Sequence, residues 1–426
     1  MTLEESGPST LSPARIRLAL LALALGGFGI GSTEFVAMGL LPNLAGDLLP
    51  GLYSADPAAA NAQAGWLITA YALGVVVGAP TIAAAAARWP RKQLLLALLT
   101  AFTLGTIASA VLPSFQLVLL ARFVAALPHG AYFGIASLVA ASLMGPGKRG
   151  RGVAFVLSGL TIANVIGVPA ITWLGQLYGW RIAYLVVAAI FALTFVAVAI
   201  AVPWQAGDPT ATMKNELKAF TRIQVWFALA IGAIGFGGLF AVYSYVAPMA
   251  TEVTGLPETA VPLVLIVFGL GMTLGNVVGG RLADHSVRRT MYLFFAILIV
   301  TLVLMAFTVS SIAGLFIGVF LVGGSSAALS PTIQTRLMDV ARDSQSIAAA
   351  LNHSALNIGN AAGAMLGGIA IAAGLGYGAP IWIGLALSVA GLLLAVWTFA
   401  IDRARRGRGV DVPYGTASMA AVREAA

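Results

Sequence analysis

An acid and a base stand deep inside apolar stretches where a chain ordinarily carries neither: Glu34 within residues 16–42 and Arg122 within 115–143. An ionised side chain in hydrocarbon costs at least ~2.5–3.5 kcal/mol on insertion scales, so one that persists marks a cavity, a partner or a proton path. Glu34 stands eight residues before Pro42, and Arg122 eight after Ser114. At about 1.5 Å per helical residue, each lies roughly 12 Å inside the same end of its segment. Equal depth lets them pair. Burial and a facing guanidinium act in opposite senses on a carboxyl group's hold on its proton, which is the condition for a proton-carrying site. The alternative is a static ion pair that only orients two helices.

Other polar groups fall on the same kind of segment. His129 and His353 titrate in a useful range, yet buried histidines also serve as hydrogen-bonded structural groups. Thr33, Asn164, Asn357 and Asn360 could bind the hydroxyls of a ligand or join helices. Phe240 and Tyr243 share one helical face, which suits a neutral or amphiphilic ligand. Tyr245 follows, and anchoring at the lipid interface explains it equally well. The chain holds no GxxxxGK[ST] phosphate loop, HExxH motif, Ser-His-Asp order or paired intramembrane carboxylates. ATP-driven, zinc-protease and hydrolytic chemistries therefore have no carrier, and neither a metal nor a cofactor is expected. Zero cysteines exclude disulfides and thiolate chemistry.

The elements that must position these groups follow from composition. Of 426 residues, 60% are hydrophobic, 9% are charged and 49 are Gly, which describes an all-α integral membrane protein. Stretches of about 20 apolar residues, enough to cross a bilayer, recur. Twelve are expected, near 16–42, 64–87, 93–112, 115–143, 152–176, 180–203, 224–249, 260–282, 290–309, 312–337, 346–373 and 379–401. They are continuous rather than alternating, so they predict helices and not barrel strands. The first is too long for a signal h-region and meets Pro42-Asn43 without a small-residue cleavage site, so it is expected to remain as a span.

Basic residues cluster at one side. They occupy the N-terminus (Arg15, Arg17), the loops after even-numbered spans, and the tail (Arg403, Arg405, Arg406, Arg408, Arg423). The loop groups are Arg88, Arg91 and Lys92; Lys148, Arg149 and Arg151; Lys214, Lys218 and Arg222; Arg281, Arg288 and Arg289; and Arg336 with Arg342. Only Arg122 and Arg181 depart from the pattern, which predicts a protein of the cytoplasmic membrane with both termini cytoplasmic. The net charge of +8 is thereby topological, and no nucleic-acid partner is expected.

The chain also repeats itself. GLTIANVIG at 159–167 and ALNIGNAAG at 355–363 align Leu160 with Leu356, Ile162 with Ile358, Asn164 with Asn360 and Gly167 with Gly363 at an offset of 196. Gly78, Arg91 and Lys92 match Gly275, Arg288 and Arg289 at an offset of 197. Two six-span halves follow, residues 1–203 and 224–401, with a linker at 204–223 and a tail at 402–426.

With these strings in view, residues 16–401 resemble the major facilitator superfamily. GIGSTEFVAMGLLPNLAGDL at 29–48 is similar to the first helix of its twelve-span drug:proton antiporters, in the AraJ-like and chloramphenicol-exporter group. ARFVAALPHGAYFG at 121–134, GLTIANVIGVP at 159–169 and GWR at 179–181 extend the match. The resemblance implies the major facilitator fold and a secondary transporter, not an enzyme. It would export a small organic compound in exchange for protons by alternating access, with Glu34 carrying the proton and Arg122 as its electrostatic partner. Chloramphenicol-like drugs are the first expectation for the substrate; sugars or purine nucleosides are the alternative. His129, Asn164, Thr33, Phe240, Tyr243, Asn357 and Asn360 are the candidate substrate contacts, and a monomer in the lipid bilayer is expected. A non-transporting receptor or sensor is the alternative from another class; the short linker and tails argue against it.

The resemblance also implies conformational motifs at Gly78, Arg88, Arg91 and Lys92, at Gly159, Gly167 and Pro169, and at Gly275, Asp284, Arg288 and Arg289. Relatives carry Asp and Gly where this chain has Ala87 and Pro90 in AARWPRK, while the second half keeps Asp284. A charge-paired lock at these loops would therefore lean on the second half. Ala126 stands where relatives usually have Gly, a change in packing.

Overall fold

The computed structural model describes residues 12–85, 88–144, 149–207, 221–341 and 345–407. Ala87, Lys148, Lys214, Lys218, Arg342, Arg408 and Arg423 lie outside them, as do most of the expected linker and tail.

Hydrocarbon offers no hydrogen bonds, so an apolar chain crossing it must satisfy its own backbone, and helices do so. Among the described residues, eleven helices are long and apolar enough to cross a membrane. They are α1 (Pro13–Gly39), α2 (Pro57–Ile82), α3 (Arg91–Val111), α4 (Phe115–Met144), α5 (Gly152–Tyr178) and α6 (Trp180–Ala201). The others are α7 (Ile223–Ser244), α8 (Glu258–Thr308), α9 (Ile312–Val340), α10 (Leu351–Leu375) and α11 (Ala379–Ala404). Helix α8 holds two of the expected spans. A straight helix of its length would reach about 77 Å, more than twice the ~30 Å of a hydrocarbon core. Ser286 breaks it, with φ −164° and ψ 101°. Its two legs cover the spans expected at 260–282 and 290–309.

Two charges lie at the ends of apolar stretches. Arg336, expected in a loop, lies within α9, and Asp402, expected in the tail, lies within α11. Both are buried and form an ion pair. Gln224 of α7 donates to the second carboxylate oxygen of Asp402 at 3.0 Å. Each charge is buried with its partner on another helix, as buried charges require.

The internal repeat reappears in the packing. Gly74 and Gly78 of α2 sit against Phe123 and Leu127 of α4; Gly271 and Gly275 of α8 sit against Phe320 and Gly324 of α9. All four pairs keep the 197-residue offset. A Cβ at Gly78 would stand 2.0 Å from the Leu127 carbonyl oxygen, and one at Gly275 1.9 Å from that of Gly324, so only glycine permits these approaches. Gly159 of α5 meets the Ala24 carbonyl of α1 in the same way, and Gly167 lies against Phe28 and Ser32. A π-turn over Ala163–Gly167 precedes Pro169, whose missing N–H interrupts the ordinary ladder.

Early and late segments of the chain are tied together at the end of the bundle away from the chain termini, here the far end. Asn61 of α2 donates to the Tyr377 hydroxyl at 2.7 Å, and Gln176 of α5 to the Glu258 carbonyl at 2.9 Å. At the opposite end Lys92 donates to the Ala199 carbonyl at 2.7 Å and the Arg91 amide to that of Gln205 at 3.0 Å, fastening the loop after α2 to the end of α6. Arg88, Asp284 and Arg289 are exposed there, Arg288 is half-buried, and Asp284 forms no ion pair with any described residue.

Candidate functional site

Glu34 and Arg122 are both buried, at 5% and 1% exposure. They are not an ion pair. Arg122 Nη1 donates to the Thr33 carbonyl at 2.9 Å and to Thr33 Oγ1 at 3.2 Å. Its guanidinium lies 4.3 Å from the Tyr71 ring centroid and 5.3 Å from that of Tyr184, held between α2 and α6. Successive helical residues point about 100° apart, so an arginine docked on Thr33 stands near Glu34 without pairing with it. Equal depth was legible; azimuth was not.

Arg122 consequently keeps two buried donors, Nε and Nη2, without a hydrogen-bond partner. They form the side-on edge of the guanidinium, the edge whose spacing matches a carboxylate. Glu34 instead accepts a long bond, 3.4 Å, from Asn360 Nδ2 of α10, in the other half. Asn360 Oδ1 is buried and unpartnered. Among the candidate asparagines, only Asn360 bonds across helices. Asn164 donates to the Leu160 carbonyl at 3.1 Å and Asn357 to that of His353 at 3.0 Å, each within its own helix.

Below this centre, towards the termini, the Tyr71 hydroxyl stands 3.3 Å from His129 Nδ1. The rings of His129 and His353, from different halves, are 6.0 Å apart, and His353 stacks on Phe133 at 5.1 Å. An aromatic cluster flanks Glu34 on the other side. Phe35 lies 6.4 Å from Phe240 and 5.6 Å from Tyr243, and Tyr243 stacks on Phe268 at 4.0 Å. Tyr245 is buried rather than placed at a lipid interface, its hydroxyl donating to the Ala364 carbonyl at 2.7 Å. Sequence reasoning did not single out Tyr71, Tyr184, Phe35 or Phe268; an aromatic residue in an apolar helix carries no signal of the face it will occupy.

A separate cleft of about 460 Å³ opens at the far end, where Asp47, Tyr53, Gln176, Trp180, Arg181 and Glu258 line it. Asp47 accepts from Trp180 Nε1 at 2.9 Å and pairs with Arg181 at 3.1 Å. Burial first, then the charges of Glu258 and Glu252, raises the Tyr53 hydroxyl above its ordinary pKa. None of the groups around Glu34 lines this cleft. Among the described residues, no three His, Asp or Glu side chains could hold a metal ion.

A bundle of parallel, glycine-packed helix pairs repeated at one offset is matched by the family model of the Major Facilitator Superfamily, over residues 23–257 and 225–425. The chain belongs to that family. It is 39% identical over 363 residues to the inner membrane transport protein YdhP of Escherichia coli (strain K12), covering 85% of this chain and 91% of that one. It is 32% identical over 383 residues to the chloramphenicol resistance protein of Streptomyces lividans, covering 89% and 94%. Among solved structures, that of a D-xylose–proton symporter superposes with a TM-score of 0.71 at 15% identity, covering 94% of this chain and 99% of that one, a likeness of fold alone. Fold and family are those of a membrane transporter.

Proposed function

We propose that this superfamily member exports a small organic compound across the cytoplasmic membrane in exchange for protons, with Glu34 as the proton carrier. The observation that carries the reading is the placement of one buried carboxyl at the seam between the halves. It is bonded from the far half by Asn360 and lies within electrostatic reach of Arg122. A group so placed meets a different environment when the halves rock, and alternating access needs that property. Both termini are cytoplasmic in this reading, as the basic loops imply, and the membrane assignment is supported by the name of the relative YdhP. The halves are residues 1–203 and 224–401, the second prolonged by α11, and the protein works as a monomer.

The substrate we favour carries an aromatic ring and hydroxyls, as chloramphenicol does. Phe240, Tyr243, Phe35 and Phe268 would meet the ring. The unpartnered buried oxygens of Asn164, Asn357 and Asn360 would meet hydroxyl groups, which keeps sugars as the second reading. His129 and His353 would lie on the route towards the termini. One proton exchanged for one neutral molecule moves one charge, so a potential contributes about 2.3 kcal/mol per 100 mV.

A direct test is proton release. Chloramphenicol added to purified protein in weak buffer should release about one proton per molecule bound, since exchange requires substrate to displace the proton. Glu34→Gln should bind without release. Binding by the wild type with no proton released contradicts the reading.

A further inference from the structure

Three observations around Glu34 converge on a switch. The carboxyl is bonded by a neutral amide, Asn360, rather than by the nearby cation. The cation keeps its carboxylate-matching edge, Nε and Nη2, buried and vacant. Asn360 and Glu34 belong to different halves, and their bond is a side-chain link between α1 and α10.

A charged carboxylate gains far more from a bidentate guanidinium than from one long amide bond. A protonated carboxyl has no such preference. It can accept from the Asn360 amide and, once that amide rotates, donate its O–H to Asn360 Oδ1, whose lone pairs are unused. The arrangement seen is therefore that of a neutral Glu34 with the far end shut. The titratable and charged groups facing Glu34 are Arg122 from α4, Tyr71 from α2 and Tyr243 from α7, with Asn360 from α10 as the polar neighbour. Tyr184, His129 and His353 stand behind Arg122 and Tyr71. Of these, Arg122 alone carries a permanent charge.

We propose that Asn360 is the positioning residue that couples Glu34 to the far-end closure: it holds α10 to α1 while Glu34 is neutral, and loses Glu34 to the vacant edge of Arg122 when the carboxyl ionises. The proposal rests on the reading of Glu34 as the proton carrier. It assigns Asn360 a part distinct from substrate binding or general helix adhesion. Asn357, one turn earlier, has its amide bound to its own helix and lacks that part.

The chain contains no cysteine, so a single introduced cysteine reports accessibility without background. Ala62 is buried where α2 meets α10 at the far end, its carbonyl beside Gly368. Full-length protein with Ala62→Cys is reconstituted and labelled from the far side with a membrane-impermeant maleimide, with rates scaled to an exposed control cysteine at each pH. The expected result is slow labelling near about pH 5 and faster labelling towards about pH 9, as ionised Glu34 leaves Asn360. Adding Asn360→Leu, of similar volume but without hydrogen bonding, should raise labelling at acid pH about fivefold and flatten the pH profile. Asn360→Ala makes the same test should the leucine variant not fold, and Asn360→Gln, which keeps the amide, should retain the slope. Glu34→Gln should label slowly at every pH. A Glu34→Gln variant with the full wild-type profile overturns the proton-carrier reading itself. A flat Glu34→Gln profile beside an unchanged Asn360→Leu or Asn360→Ala profile overturns only the role of Asn360.

Discussion

Replacing Asp402 with leucine should destabilise the protein by roughly 3–5 kcal/mol, the cost of stranding one partner of a buried ion pair. The side chains of Arg336 and Asp402 are 2% and 1% exposed, so water cannot solvate the charge left behind. Both Asp402 oxygens are engaged, one by Arg336 and one by Gln224 Nε2 at 3.0 Å. The guanidinium also lies 5.2 Å from the Phe399 ring centroid, and its Nε has no hydrogen-bond partner. Removing the carboxylate would leave Arg336 with the ring alone among these contacts. Arg336→Met should cost a similar amount, because Asp402 would then keep only Gln224. The double variant removes both charges and puts apolar side chains in their place. It should fall within about 1–2 kcal/mol of wild type, because swapping a buried pair for packed apolar groups is often neutral or stabilising. The assay is reversible unfolding in mixed micelles by titrated SDS, followed by tryptophan fluorescence, for the wild type and all three variants. Added salt should change little, since the pair is shielded from the solvent that screens surface charges. Additive single losses, or an Asp402→Leu loss under about 1 kcal/mol, would refute the reasoning that burial makes the partners interdependent.

Three further outcomes follow from the packing. Arg122→Lys should lower substrate exchange about tenfold or more, because an ammonium cannot reproduce the guanidinium fork at Thr33 between Tyr71 and Tyr184; initial rates in proteoliposomes measure it, and wild-type exchange would contradict it. Gly275→Leu should abolish folding or exchange, because its Cβ alone would fall 1.9 Å from the Gly324 carbonyl, whereas Gly280→Leu, with nothing within 4 Å of its Cβ, should be tolerated; detergent-soluble yield separates the two. Tyr245→Phe should cost about 1 kcal/mol in the same micellar unfolding assay through loss of its bond to the Ala364 carbonyl, and no change would return Tyr245 to a packing role.

Much of this architecture was legible because the bilayer imposes simple rules. Apolar length located the crossings. The offset between Gly78 and Gly275 pointed to a repeat, and the close contacts of these glycines with Leu127 and Gly324 came only with the structure. What escaped depends on direction around a helix axis, for which a buried helix carries no clear pattern. Thr33 rather than Glu34 meets Arg122, and Asn360 rather than Asn164 or Asn357 bonds across helices. The Arg336–Asp402 pair escaped for another reason. Each charge closes an apolar run and so reads as a loop residue, and nothing in the sequence marks the two as partners. The two spans expected at 260–282 and 290–309 correspond to the two legs of α8, which part at Ser286.

The most direct test of the central claim is flux driven by a proton gradient in liposomes, measured with chloramphenicol for the wild type and Glu34→Gln side by side. The account predicts that the gradient drives accumulation by the wild type alone, while downhill exchange of substrate survives in the variant. Equal gradient-driven accumulation by Glu34→Gln would contradict it.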